Sequence, residues 1–167
     1  ARIALFGSVG ELAALLDGGL DPNSKTMRGT SLLMMAAADP DKLRLLLRRG
    51  ANASQRSEAG VDALTVASSY RGTSASIQLL IEAGAKSQPA DDMRVRRRPL
   101  VFASMTGDQD VVRLLLSHGA RPDAEALSEA VTFNHPDTVK ALIDAGADAS
   151  ITESSGINLL HWAAITN

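Results

Sequence analysis

The sequence predicts an all-α array in which short helix–turn–helix units stack side by side into a solenoid. Three observations carry this. A Leu-rich triplet followed two residues later by Gly and a small apolar residue recurs as Ala14-Leu15-Leu16 to Gly19-Leu20, Leu45-Leu46-Leu47 to Gly50-Ala51, Leu79-Leu80-Ile81 to Gly84-Ala85, Leu114-Leu115-Leu116 to Gly119-Ala120 and Ala141-Leu142-Ile143 to Gly146-Ala147. A second signature falls between these, an apolar residue followed three on by two small or slender ones: Leu33 with Ala36-Ala37, Leu64 with Ala67-Ser68, Leu100 with Ala103-Ser104, Leu127 with Ala130-Val131 and Leu160 with Ala163-Ala164. Aromatic residues make up only 3% of the chain while 45% is hydrophobic, a balance that suits closely approaching helices better than an aromatic-rich sandwich.

The closing glycines lie 31, 34, 35 and 27 residues apart, a period near 32 that belongs to repeat architectures. Each unit reads as two helices. In the first, Leu and the small pair share one face, where Ala lets neighbours come close. The second ends at a Gly suited to the left-handed position that stops a helix. Taken in order, the units run approximately 1–24, 25–55, 56–89, 90–121 and 122–150, with a partial unit at 151–167, all in one domain covering 1–167.

Three stretches depart from the regular spacing. Ala37 and Leu45 are separated by only seven residues, through Ala38-Asp39-Pro40-Asp41, so the first helix of that unit is expected to be clipped. The 27-residue interval arises between Ala120 and Leu127, where the connection is shorter than elsewhere. The opposite occurs between Ala85 and Leu100, which contains Asp91-Asp92-Met93-Arg94-Val95-Arg96-Arg97-Arg98.

Composition removes several functional classes. With 17 basic and 19 acidic residues the formal net charge is -2, which argues for neither a nucleic-acid binder nor an acidic tail. No cysteine is present, which excludes disulfides, thiolate zinc sites and thiol catalysis. No apolar run approaches the roughly 18 residues of a membrane span, and a membrane partner is not expected. The start lacks the layout of a signal peptide. Because the chain opens without Met and stops within a patterned segment, it is expected to be part of something longer.

No catalytic constellation emerges. His118 precedes a helix-ending glycine; His118, His135 and His161 fall in different units, without the spacing of a zinc-binding pair. Asp39 and Asp41, Asp91 and Asp92, and Asp108 and Asp110 lie in turns, where carboxylates cap and solvate, and no calcium-loop glycine framework accompanies them. The glycines are dispersed, so no phosphate cradle is indicated. No enzyme, metal or cofactor is expected.

The repeat resembles the ankyrin family, whose pattern runs GxTPLHxAA, a GH turn, VVxLLL and a closing GA. The best match is Arg98-Pro99-Leu100-Val101-Phe102-Ala103-Ser104, Gly107, Val111-Val112-Arg113-Leu114-Leu115-Leu116 and Gly119-Ala120; the last unit keeps Gly156, Asn158, Leu160, His161, Ala163 and Ala164. The resemblance covers essentially the whole chain, as four full units between two partial ones. It implies an ankyrin-repeat solenoid with short β-hairpin fingers, the finger of the 122–150 unit missing and that of 90–121 lengthened. At the family's capping Thr, Ser31, Asp62 and Asn158 can serve as caps, whereas Arg98 and Glu125 are poor ones. Asn134 stands where the family has its turn glycine, an exchange that a left-handed backbone tolerates.

The resemblance also implies a surface, since family members generally hold protein ligands in a concave groove of finger tips and first helices. Carried over by position, the tips are Met27 and Arg28, Glu58 and Ala59, Arg94 and Val95, and Ser154 and Ser155. The helix positions are Ala38 and Asp39, Ser69 and Tyr70, Met105 and Thr106, and Thr132 and Phe133. Tyr70, Met105, Phe133 and Arg94 are types enriched at interface centres. Arg94, Arg96, Arg97 and Arg98 form the one dense basic cluster, suited to an acidic protein surface. Nucleic acid is not expected, because wider basic coverage and interleaved aromatics are lacking. The function expected is protein–protein interaction through that groove. A second reading is a docking or regulatory ankyrin domain of a larger enzyme or redox protein whose chemistry lies elsewhere.

Overall fold

A computed structural model describes residues 7–88 and 98–148. Helices begin where an acceptor meets the free amides of a first turn. Ser8 caps α1 (Val9–Asp17) in a reciprocal box: its hydroxyl accepts from the Glu11 amide while the Glu11 carboxylate accepts from the Ser8 amide. Ser31 caps α2 (Leu32–Met35), Asp39 caps α3 (Pro40–Arg48), and Asp62 caps α4 (Ala63–Ala67). After α5 (Ser74–Glu82), α6 (Pro99–Thr106) starts on Pro99 without a side-chain cap. Asp108 caps α7 (Gln109–Ser117), Asp123 caps α8 (Ala124–Thr132), and α9 (Pro136–Asp144) begins on Pro136 behind His135.

The second helix of each unit ends in one way, which explains why the triplet and the Gly recur together. At Gly50, with φ +87°, the Gly50 amide donates to the Leu47 carbonyl and the Ala51 amide to the Leu46 carbonyl, both at 3.0 Å. This paired closure satisfies carbonyls that the helix end would leave free, and it needs a residue that tolerates positive φ. The same two bonds close α1, α5, α7 and α9 at Gly19, Gly84, Gly119 and Gly146. Asn134, at φ 55°, makes the closure for α8, as its place in the sequence predicts.

The helices stack in two rows. First helices α2, α4, α6 and α8 pack in succession, and α1, α3, α5, α7 and α9 form the second row behind them. The core lies between the rows: Leu33, Leu43, Leu46, Leu64, Ile77, Leu80, Leu115, Leu127 and Leu142 are all fully buried, as are the small pairs Ala36-Ala37, Ala67-Ser68 and Ala103-Ser104. Two of those pairs contain serine. The Ser68 and Ser104 hydroxyls donate to the carbonyls of Leu64 and Leu100, each at 2.8 Å, so neither buried hydroxyl is left without an acceptor.

Side chains four residues beyond the closing glycines tie successive units together. The Asn23 amide group donates to the Gly50 carbonyl at 3.0 Å while its oxygen accepts from the Asn52 amide at 2.8 Å. Ser54 donates to the Gly84 carbonyl, and Gln88 accepts from the Arg121 amide. These bonds, added to apolar stacking, make each unit lean on the next.

The clipped helix is present, α2 having four residues. Residues 120–123 lead straight into α8 with no finger. The fingers at 25–31 and 57–61 are narrower than strand pairs: one closes through the Thr26 amide on the Thr30 carbonyl and a single Lys25–Ser31 bridge, the other through the Ser57 amide on the Val61 carbonyl. Arms of two or three residues leave room for one rung and no ladder. A correction concerns Glu125, which is not the cap position. Without a finger the register shifts, and Asp123 accepts from the Ala126 amide instead.

Asp39 yields a test of the caps. Partial burial raises its pKa, but the Lys42 amide and ammonium and the Asp41 amide outweigh this and hold the carboxyl below its ordinary value. A depressed carboxylate contributes stability that is fully present above its unfolded pKa and lost as pH falls through the folded one. Asp39→Ala is therefore expected to cost about 1 kcal/mol near neutral pH. Urea titrations at several pH values should show the gap to the parent chain closing as pH drops below about 4.

Candidate functional site

The fingers stand out from the edge of the first-helix row and make a re-entrant corner with it. Between the first two fingered units this corner deepens into a hollow of about 300 Å³ lined by Thr26, Thr30, Met34, Met35, Ala38, Val66 and Tyr70. Thr26 and Thr30 come from the finger, Met34 and Met35 from α2, Val66 from α4, and Tyr70 from the turn that follows α4. Because α4 stops at Ala67, the chain turns outward early and leaves Tyr70 at the rim, 52% exposed.

Exposure at the other predicted positions is uneven. Met27, at the first tip, is 97% exposed, and Arg28 and Glu58 are exposed as well. The two tips touch, the Glu58 amide donating to the Arg28 carbonyl at 3.2 Å. A Cβ on Gly29 would lie 3.1 Å from the Glu58 nitrogen, so this approach depends on the glycine. Phe133, at the end of α8, is 48% exposed, whereas Met105 in α6 is half-buried and its carbonyl lies 3.0 Å from His135 Nε2. Tyr70 thus shares a hollow with the methionines of α2, and Arg28 and Glu58 share an edge. Phe133 and Met105 belong to the next two units of the row.

Arg94, Arg96 and Arg97, with the tips Val95, Ser154 and Ser155 and with His161, lie outside the described residues. Arg98 is described and does not extend a free cluster, because its guanidinium is ion-paired with Asp123 across two units. That pairing ties the start of α6 to the cap of α8.

Several of the residues that might have done chemistry have structural partners, while Asp91 and Asp92 lie outside the described residues. Asp39 and Asp108 cap helices, Asp108 also accepting from the Gly72 amide at 2.6 Å; Asp41 pairs with Arg44. His118 is the exposed C-cap of α7. Among the described residues no group of three His, Asp or Glu side chains could hold a metal, and no helix is long and apolar enough to cross a membrane.

Sequence reasoning missed the floor of the hollow. The repeat pattern singles out Leu33 and Leu64 with their small pairs and assigns nothing to Met34, Met35 or Val66. Their position one residue to either side of the buried Leu–small face was the available signal, since a helix shows such flanks to whatever stands beside it.

Comparison with known proteins places this architecture. The family model "Ankyrin repeats (3 copies)" matches residues 33–126, more than half of the chain. A curated relative is the mouse "Ankyrin repeat and SOCS box protein 16", 38% identical over 68 residues; the match takes in 38% of this chain but only 15% of that protein's length. Among solved structures, the human ASB11 ankyrin repeat domain superposes with a TM-score of 0.81 at 22% identity, covering 96% of this chain and 89% of that one, a likeness of fold. Ankyrin repeats are in general modules of protein–protein interaction, and the two stacked rows, the glycine-closed second helices and the matched family model together show that this chain belongs to the ankyrin-repeat family.

Proposed function

We propose that the chain is a protein-interaction module that holds a partner in the corner formed by its finger tips and first helices. One observation carries this reading. Of the five large apolar side chains that stand exposed among the described residues, Met27, Tyr70 and Phe133 all occupy tip or first-helix-end positions, and one of them rims the apolar hollow. Exposing such side chains is unfavourable in water unless a partner covers them, and aromatic residues are favoured as anchors. Glu58, Arg28 and Met105 contribute the polar and half-buried surroundings.

The test is affinity capture from the source cell with the parent chain and with a Met27→Ser, Tyr70→Ala and Phe133→Ala variant of equal thermal stability. One selective partner is expected, with affinity for the variant about tenfold lower or more. Undiminished capture by the variant would move the binding surface elsewhere.

A further inference from the structure

The hollow between the first two fingers is mostly apolar, yet the exposed charged side chains of those fingers are mainly basic. The finger at 25–31 carries Lys25 and Arg28, and Arg56 leads into the finger at 57–61; all three are exposed. None of the three makes an ion pair among the described residues, where the five pairs are Lys42–Asp39, Arg44–Asp41, Arg49–Asp17, Arg98–Asp123 and Lys140–Asp144. The carboxylates on the same segments are fewer and mostly engaged. Asp62 is buried as the cap of α4, and Asp39 caps α3 and pairs with Lys42, which leaves Glu58 as the exposed acid of these two fingers. Three exposed cations against one exposed carboxylate leave an exposed excess of two positive charges on these two fingers, on a chain whose formal net charge is -2.

We infer that this corner takes an acidic peptide segment with one apolar anchor: a Leu, Met or aromatic side chain enters the hollow of Met34, Met35, Val66 and Tyr70, and flanking Asp or Glu residues meet Lys25, Arg28 and Arg56. The inference rests on the groove reading above and deepens it by naming the partner's chemistry. A hollow of about 300 Å³ is at the small end of ligand pockets, enough for a single anchor and not for a folded insertion. A rim of one sign attracts and orients the opposite sign, and it speeds encounter more than it tightens the final complex. Single-stranded nucleic acid fits less well, because Tyr70 is the one aromatic side chain lining the hollow and a base-stacking track needs several.

Panning a random peptide library on the intact chain, then measuring the enriched peptides by fluorescence anisotropy, tests this. The expected peptides carry an apolar residue flanked by Asp or Glu. Their affinity falls about tenfold or more in an Arg28→Glu and Arg56→Glu double variant, and similarly in Tyr70→Ala. It also falls as salt is raised, and is unchanged in Arg113→Glu, which alters the second-helix row. Neutral or basic peptides that are lost in Tyr70→Ala would overturn the acidic-partner inference while leaving the groove reading intact. Peptides indifferent to Tyr70→Ala, or no enrichment at all, would overturn both. An oligothymidine probe bound more tightly than any peptide and lost in the double variant would replace the peptide with nucleic acid. The substituted side chains are exposed, so the variants are expected to fold; thermal unfolding checks this, and Lys25→Glu provides an independent charge reversal.

Discussion

Leu115→Ala is expected to lower the unfolding free energy by about 2 to 5 kcal/mol, the range for truncating a large side chain in a closed core. Leu115 is the middle residue of its triplet and is fully buried; its carbonyl accepts the Ala120 amide in the closing turn, and its helix, α7, packs against α5, α6 and α9. Close packing leaves little room for collapse, so the loss combines reduced apolar burial with a residual cavity. The array adds a second consequence. Units are stabilised by their neighbours, so weakening α7 also weakens the hold of the 122–150 unit on the rest. Denaturant titration should show the midpoint falling, with α8 and α9 losing amide-exchange protection first. A change below about 0.5 kcal/mol would mean that residue 115 lies outside the stacked core. Leu15→Ala serves as the contrast: it occupies the matching place in α1 but is 42% exposed, and should cost far less.

Gly107→Ala is expected to cost about 2 kcal/mol, from backbone strain and a steric collision together. Gly107 ends α6 at φ +66°, a conformation that disfavours a side chain. A Cβ there would lie 2.4 Å from His135 Nδ1 and 2.5 Å from its Cγ. The clash reaches the root of the ring, so His135 must move as a whole and give up the contact between Nε2 and the Met105 carbonyl at 3.0 Å. Adding His135→Ala removes the collision but not the strain. The double variant is therefore expected to be more stable than the sum of the single effects implies, by about 1 kcal/mol on chemical denaturation. Strict additivity would mean that the ring does not rest on Gly107.

The collision also gives His135 a role that its place in a turn only hinted at. Its ring spans from one unit to the turn of the previous one, as Asp108 does to the Gly72 amide. Turn positions at the head of successive second helices thus act as clasps between units, beside the bonds made by Asn23, Ser54 and Gln88.

The sequence by itself determined the repeat, the two helices of each unit and the residues that face the core, because these follow from local periodicity and from a closing turn that needs Gly or Asn. It also located the clipped α2 and the missing finger, since both are plain differences in residue count. The cap of α8 was misplaced by two residues because the family pattern presumes a finger that this unit lacks. Which residues surround the exposed side chains was decided only by the tertiary structure. Tyr70 and Met35 are 35 positions apart, and Arg98 and Asp123 are 25 apart. Nothing in the local pattern of either segment registers the other. Stacking brings Tyr70 over the methionines of α2 and turns it into the rim of a hollow, while the same stacking withdraws Arg98 from the basic cluster by giving it a carboxylate. Apolar periodicity is a property of a segment, but a binding surface is a property of which segments the packing sets side by side.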